Sequence, residues 1–222
     1  MSGVKPRKAF ITGGAGFIGS TVTAGLLEMG WQVSVFDNLS LGRKEFVEPH
    51  LDNPSFRFVE ADLLDLERLK GEIEGHDVVF HLSANSDISY GTKYTDIDLK
   101  QGTVATYNVL EAMRLGGVGE IIFASSSAIY GETAVVPTPE ECGPLFPISF
   151  YGASKMACEG LVSAFCHNYD YKAWIYRFGN IVGYNGTHGV IYDFINKLKK
   201  NPQELQVLGD GRQAKPYLYV KE

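Results

Sequence analysis

The 222 residues are 45% hydrophobic and 21% charged, and 26 Asp and Glu against 20 Lys and Arg leave a net charge of -6. Such a chain can fill a sizeable core, but its balance argues against a surface that coats a polyanion, which needs clustered cations. The short basic stretch at Lys5, Arg7 and Lys8 reads as a leader to the first strand, and no apolar run reaches the length of a membrane span.

KAFIT (8–12) is a β-type run, glycines follow, and 17–30 reads as a helix that stops at Gly30. WQVSVFD (31–37), FRFVEAD (56–62) and DVVFHLS (77–83) are three further strands, with the helical DLERLKGEIEG (65–75) between the last two. A longer helix over 96–115 precedes the strand EIIFASS (120–126). The Pro-rich loop VVPTPEECGPLFP (135–147) then leads into a helix over 150–169 and the strand YKAWIYRF (171–178). Strands alternating with helices, several of them without a polar face, predict an α/β fold with a doubly wound parallel sheet covered on both sides. The remainder is Gly-rich, with one amphipathic helix, VIYDFINKLKK (190–200), and two short β runs, ELQVLG (204–209) and YLYV (217–220). The chain stops at Glu222 directly after a strand, as a domain cut short would. Residues 1–180 are accordingly expected to form a dinucleotide-binding domain and 181–222 a partial substrate-binding region.

The three cysteines, Cys142, Cys158 and Cys166, lie in no CxxC or zinc-ligand spacing, so reduced thiols, no metal site and a cytosolic protein are expected. No secretory signal is expected either, because the apolar stretch after Lys8 is broken at once by Gly13, Gly14 and Gly16. His81 reads as a sheet-packing residue, and Trp31 and Trp174 read as core.

Between the first strand and helix, TGGAGFIG (12–19) supplies both GxGxxG, through Gly14, Gly16 and Gly19, and GxxGxxG, through Gly13, Gly16 and Gly19. Glycine is needed there for a tight turn, for close approach of backbone to a pyrophosphate and for packing of helix on strand. Phe17 and Ile18 open the helix whose N-terminal N–H groups receive the phosphate charge. Asp37 closes the second strand, where a carboxylate accepts ribose hydroxyls and repels a 2′-phosphate, favouring NAD over NADP.

SFYGASK (149–155) puts Tyr151 and Lys155 four residues apart on one helix face. A phenol with a pKa of about 10 is a poor base at neutral pH, and the expectation is that the Lys155 ammonium and a positive nicotinamide ring lower that value. FASSSAIYG (123–131) ends a strand of the same sheet with three hydroxyls, one of which can bond the substrate oxygen whose proton the phenolate removes. Spacing alone does not say which.

With these residues in hand the chain closely resembles the extended short-chain dehydrogenase/reductase family, and within it the sugar-nucleotide epimerases and dehydratases. The matching elements are TGGAGFIG, DNLSLG (37–42), ADLLD (61–65), HLSAN (81–85), SSSAIYG (125–131), YGASK (151–155), RFGN (177–180) and LGDGRQAKPYLYV (208–220). The resemblance implies a Rossmann-type fold with a truncated C-terminal substrate-binding portion. It implies Ser126, four residues before the Tyr130–Gly131 pair, as the hydroxyl that works with Tyr151 and Lys155. It gives NAD to Gly13, Gly16, Phe17, Ile18 and Gly19, with Asp37 and Asn38 on the adenosine ribose. Asp62 and Leu63 fall at the adenine edge, Ser83 and Ala84 along the pyrophosphate and ribose, and Lys155 and Tyr151 at the nicotinamide end. Ser126, Ser127, Tyr151, Asn180 and Lys215 fall to the sugar nucleotide, and the helices over 96–115 and 150–169 to a homodimer. Three positions depart from the family pattern: Leu99 stands where an Asn is usual, Gly179 where an aromatic is, and Lys215–Pro216 where Arg–Asp is.

In such families a dehydratase carries Asp and Glu immediately after the strand hydroxyl, and here those positions are Ser127 and Ala128. Neither is a general acid or base at neutral pH. The cycle left is oxidation of a sugar to a 4-keto intermediate, its rotation, and reduction from the other face. A nucleotide-sugar 4-epimerase acting on a UDP-hexose or UDP-hexuronate is therefore expected, partnered by neither nucleic acid nor membrane. A 4-keto-sugar reductase and a dinucleotide-binding scaffold without turnover remain alternatives.

Overall fold

Ala9, Phe10 and Ile11 of β1 (Lys8–Thr12) have no exposed surface, as a strand covered on both faces requires. This computed structural model describes residues 6–211 and 214–222, so Lys5 of the basic leader and Arg212 and Gln213 of the LGDGRQAKPYLYV match lie outside the described residues. β1 is followed by α1 (Phe17–Glu28), β2 (Gln32–Asp37), β3 (Phe56–Glu60), α2 (Leu66–Ile73), β4 (Val78–His81), α3 (Ile88–Lys93), α4 (Ala105–Gly116), β5 (Glu120–Ser126), α5 (Phe150–Tyr169) and β6 (Lys172–Phe178). All six strands run parallel in the order β3-β2-β1-β4-β5-β6. The order reverses between β1 and β4, the switch point at which a doubly wound sheet opens a crevice beyond its strand ends.

Alternate residues of the strands feed two cores. Phe10, Phe36, Val79, Ile121 and Phe123 pack with Leu69, Leu110, Met113, Cys158 and Val162 from α2, α4 and α5. Ala9, Ile11, Val33, Val35 and Val78 pack on the opposite face with Leu26 of α1. Because α1 lies on β1 and β2, the β6 end of that face stays open, and Trp174, expected in the core, is 45% exposed.

Two local features differ from the sequence reading. The helix expected over 96–115 begins as a π-helical turn, Leu99–Val104, and is preceded by a separate α3 whose first N–H groups are capped by Asp87. ELQVLG is not a strand. β7 (Asn180–Val182) takes that place, pairing in parallel with β8 (Tyr217–Tyr219), while the Gln206 carbonyl accepts from Lys197 Nζ at 2.9 Å. Strand propensity is realised only where a partner edge exists, and NIV supplied it. The chain divides into two compact units at Phe178–Gly179, the second holding β7, α6 (Val190–Lys200) and β8.

Candidate active site

The turn between β1 and α1 is built on contacts that leave no room for side chains. Gly13 has φ +71°, and a Cβ on it would lie 2.9 Å from both the Cα and the N of Ser83. A Cβ on Gly19 would run into the Gly13 carbonyl and lie 2.7 Å from Gly14 Cα. The helix then starts at Gly16 with no side-chain cap, so the first N–H groups of α1, from Phe17 onward, are left to an outside acceptor. Asp37 is only 8% exposed. Its Oδ2 accepts from Ala15 N–H at 3.0 Å and its Oδ1 from Leu39 N–H at 2.8 Å, so the carboxylate clamps the glycine turn itself and keeps one lone pair per oxygen for a hydroxyl. Burial pushes its pKa above the ordinary value, against the pull of those two backbone bonds.

Asn38 Nδ2 donates to Asp62 Oδ2 at 2.9 Å, joining the ends of β2 and β3. Leu63 sends its side chain into the core and its carbonyl to Asn108 Nδ2 at 2.8 Å, so anything it offers an adenine comes from backbone. Ser83 N–H donates to Thr12 Oγ1 at 3.4 Å, which sets Ser83, with Ala84 after it, against the glycine turn. A tight glycine cradle, an uncapped helix start and a buried acid at the end of β2 fit a dinucleotide, with the pyrophosphate at the N–H groups and a ribose at Asp37.

α5 starts where it does because Ser149 Oγ accepts from Gly152 N–H at 3.0 Å, an N-cap. A Cβ on Gly152 would sit 2.6 Å from the Ala128 carbonyl, so the helix presses directly on the turn Ser127–Tyr130 that follows β5. That contact is why a glycine follows Tyr151, and it brings the phenol to the Ser126 hydroxyl. The structure gives the three serines different surroundings. Ser125 donates to Glu159 Oε1 at 2.5 Å and is committed to a network in which Arg177 grips Glu159 twice, at 3.1 and 2.8 Å, and donates to Tyr130 Oη at 2.8 Å. Ser127 is exposed, and Ser126 faces the phenol.

Lys155 is 3% exposed, and its Nζ donates to the Ala124 carbonyl at 2.6 Å while lying 5.9 Å from the Tyr151 ring centre. Desolvation pushes its pKa down to about 8, with Cys158, Asp98 and Glu159 opposing. The phenol of Tyr151 is pushed up by burial, then drawn down by Ser126 and raised again by Asp98 and Cys158. In the chain alone burial, Ser126, Asp98 and Cys158 set the direction of the phenol pKa; the lowering was expected of Lys155 and a nicotinamide ring acting together. The ammonium is aimed at a backbone carbonyl of β5, and desolvation of the phenol outweighs the charges around it.

Asp98 was legible only as one more acid in a polar stretch. It is buried, its Oδ1 accepts from Asn85 Nδ2 at 3.1 Å, and its Oδ2 has no hydrogen-bond partner among the described residues. Leu99, which stands where the family usually has an Asn, is 56% exposed; Gly102 and Thr103 of that turn meet Ser154 of α5, where a Cβ on Gly102 would run into Ser154 Oγ. Asn180 and Lys215 belong to the second unit, where both are exposed and Asn180 Nδ2 donates to the Pro216 carbonyl at 3.3 Å. Among the described residues no group of three or more His, Cys, Asp or Glu is placed to hold a metal ion, and no helix is long and apolar enough to cross a membrane.

Comparison with known proteins agrees with this design. The model of the NAD dependent epimerase/dehydratase family matches residues 9–222. UDP-glucose 4-epimerase of Mycolicibacterium smegmatis is 32% identical over 222 residues, covering 97% of this chain and 70% of its own length. The crystal structure of the Thermotoga maritima UDP-glucose 4-epimerase with UDP-glucose superposes with a TM-score of 0.87 at 33% identity, over 96% of this chain and 69% of that one. The Thermus thermophilus UDP-glucose 4-epimerase complex with NAD does so with a TM-score of 0.83 at 31% identity, over 96% of this chain and 71% of that one. A match that runs from β1 to the last residue, over a sheet of the same winding, makes this chain a member of the NAD dependent epimerase/dehydratase family and an NAD-dependent epimerase enzyme.

Proposed function

We propose that the protein interconverts the C4 epimers of a UDP-hexose or UDP-hexuronate through a transient 4-keto sugar. The observation that carries this reading is the Ser126–Tyr151 pair, followed on the same turn by Ser127 and Ala128 rather than by acids that would eliminate water. When bound, NAD supplies a reversible acceptor for the two electrons that leave the sugar carbon. Gly13, Gly16, Phe17, Ile18 and Gly19 hold its pyrophosphate, Asp37 and Asn38 its adenosine ribose, Asp62 and Leu63 the adenine edge, and Ser83, Ala84 and Lys155 the ribose and nicotinamide end. Tyr151, as the phenolate that the positive nicotinamide ring of bound NAD would favour, takes the proton of the sugar 4-hydroxyl on its Oη and returns it after the keto sugar has rotated. Ser126 Oγ holds the same sugar oxygen, and Ser127 a neighbouring one. Asn180 and Lys215 serve the nucleotide diphosphate, the lysine as a point charge without the fork of an arginine.

The enzyme is proposed to act as a cytosolic homodimer through α4 and α5, whose outer faces expose Tyr107 and Met156 beside the small residues Ala153, Ala157, Gly160 and Ala164. The deciding experiment incubates the protein with a panel of UDP-, GDP- and dTDP-sugars and follows the products by NMR. Exchange of isomers without net reduction of the cofactor is the expected result. Stoichiometric consumption of reduced cofactor would make it a reductase, and NAD binding without product a scaffold.

A further inference from the structure

His81, the last residue of β4, has no exposed surface and makes two hydrogen bonds, both with hydroxyls. Nδ1 meets Thr12 Oγ1 at 2.7 Å and Nε2 meets Thr106 Oγ1 at 2.9 Å. Thr12 immediately precedes Gly13, and its Oγ1 also accepts from Ser83 N–H at 3.4 Å. Thr106 lies in the first turn of α4 and also accepts from Cys158 Sγ at 3.2 Å, one turn beyond Lys155 on α5. A single line of polar contacts therefore crosses the switch point from the tyrosine helix to the glycine turn.

Each hydroxyl can donate or accept, so these contacts admit both ring tautomers, and the inferred direction starts from the Cys158 thiol as donor. Cys158 gives its hydrogen to Thr106, and Thr106 gives its own to Nε2. The neutral ring then carries its proton on Nδ1 and donates it to Thr12 Oγ1, whose second acceptor site is filled by Ser83 N–H. Burial and the nearby Lys155 charge hold the imidazole neutral, with its pKa pushed down to about 3. The seam so fixed is tight, since Gly13 has no space even for a Cβ against Ser83.

We propose that His81, as the neutral Nδ1–H tautomer, is a positioning residue that locks the Thr12–Ser83 seam and couples the dinucleotide turn to the helix bearing Tyr151 and Lys155. The inference rests on the dinucleotide reading of the glycine turn. Its first test is the 15N spectrum of the histidine-labelled full chain: the His81 ring should show the Nδ1–H tautomer and no titration between about pH 5 and pH 9. An Nε2–H ring or an imidazolium overturns the proposal, and this measurement needs neither a variant nor bound NAD.

The second test exchanges the two halves of the ring. In His81→Asn the amide nitrogen stands in for Nδ1 and keeps the Thr12 bond, so NAD affinity should stay within about 3-fold of wild type. In His81→Gln the amide reaches Thr106 and abandons Thr12, so NAD should bind about 10-fold more weakly, the worth of one hydrogen bond. Equal losses in the two variants, as a mere packing role would give, refute the coupling. A wild type that fails to bind NAD is a separate failure, of the dinucleotide reading, because the tautomer is read on the ring itself.

Discussion

Lys155→Met should make the protein more stable at neutral pH while ending its chemistry. The ammonium is buried with a pKa of about 8 against an ordinary 10.5. Keeping it charged at pH 7 therefore costs about 3 kcal/mol of folding free energy, at 1.36 kcal/mol per unit. Against this stands the hydrogen bond to the Ala124 carbonyl at 2.6 Å, whose loss strands a buried acceptor and costs about 1–2 kcal/mol. Methionine fills nearly the same volume, so the difference leaves a gain of about 1–2 kcal/mol. The pH signature is sharper than the gain. Because the folded pKa lies below the unfolded one, the unfolded chain holds more protons between pH 8 and 10.5, and wild-type stability rises with pH through that window. Below pH 8 the full cost is present, and the neighbouring Cys158, Asp98 and Glu159 are common to both proteins. Urea unfolding at pH 7 and pH 10, taken as wild type minus variant, isolates the lysine contribution. A variant that is less stable at pH 7 and shares the wild-type pH slope would refute the desolvation argument.

Three further outcomes follow from the same geometry. Tyr151→Phe removes one hydroxyl beside Ser126 and should lower turnover about a thousandfold, in the range of general acid–base catalysis, while NAD affinity measured by calorimetry stays nearly intact; normal turnover would end the proposed role. Asp37→Ser should move dinucleotide preference towards NADP in paired titrations, at a cost of about 1–2 kcal/mol in stability because Ala15 and Leu39 lose their acceptor; a wild type that already prefers NADP contradicts the assignment. Gly19→Ala drives a methyl into the Gly13 carbonyl and should cost about 1–3 kcal/mol and abolish measurable NAD binding; unchanged affinity would show that the turn is looser than described.

Much of the molecule is written in short-range chemistry. Alternating apolar runs of four to seven residues between amphipathic stretches specify strand and helix locally, since the burial period is set by backbone geometry alone. TGGAGFIG specifies a turn in the same way, because only glycine tolerates its contacts, and YGASK places two groups on one helix face whatever surrounds it. The second unit was less legible: ELQVLG and NIV are both plausible strands, and three-residue pairing is decided by which edge arrives.

Sequence by itself determined the alternation, the sheet it implies, the glycine turn with Asp37, and the Tyr151–Lys155 spacing, because each depends on residues within one turn or one strand of each other. Ser126 rested on the family resemblance, whereas the engagement of Ser125 with Glu159, itself held by Arg177, needed another helix and another strand. The burial of Asp98, the lysine hydrogen bond to Ala124 and the His81 line needed the tertiary structure as well. Desolvation and hydrogen-bond partnership are properties of a position in three dimensions, and no local pattern of side chains encodes which polar group will be shut away from water.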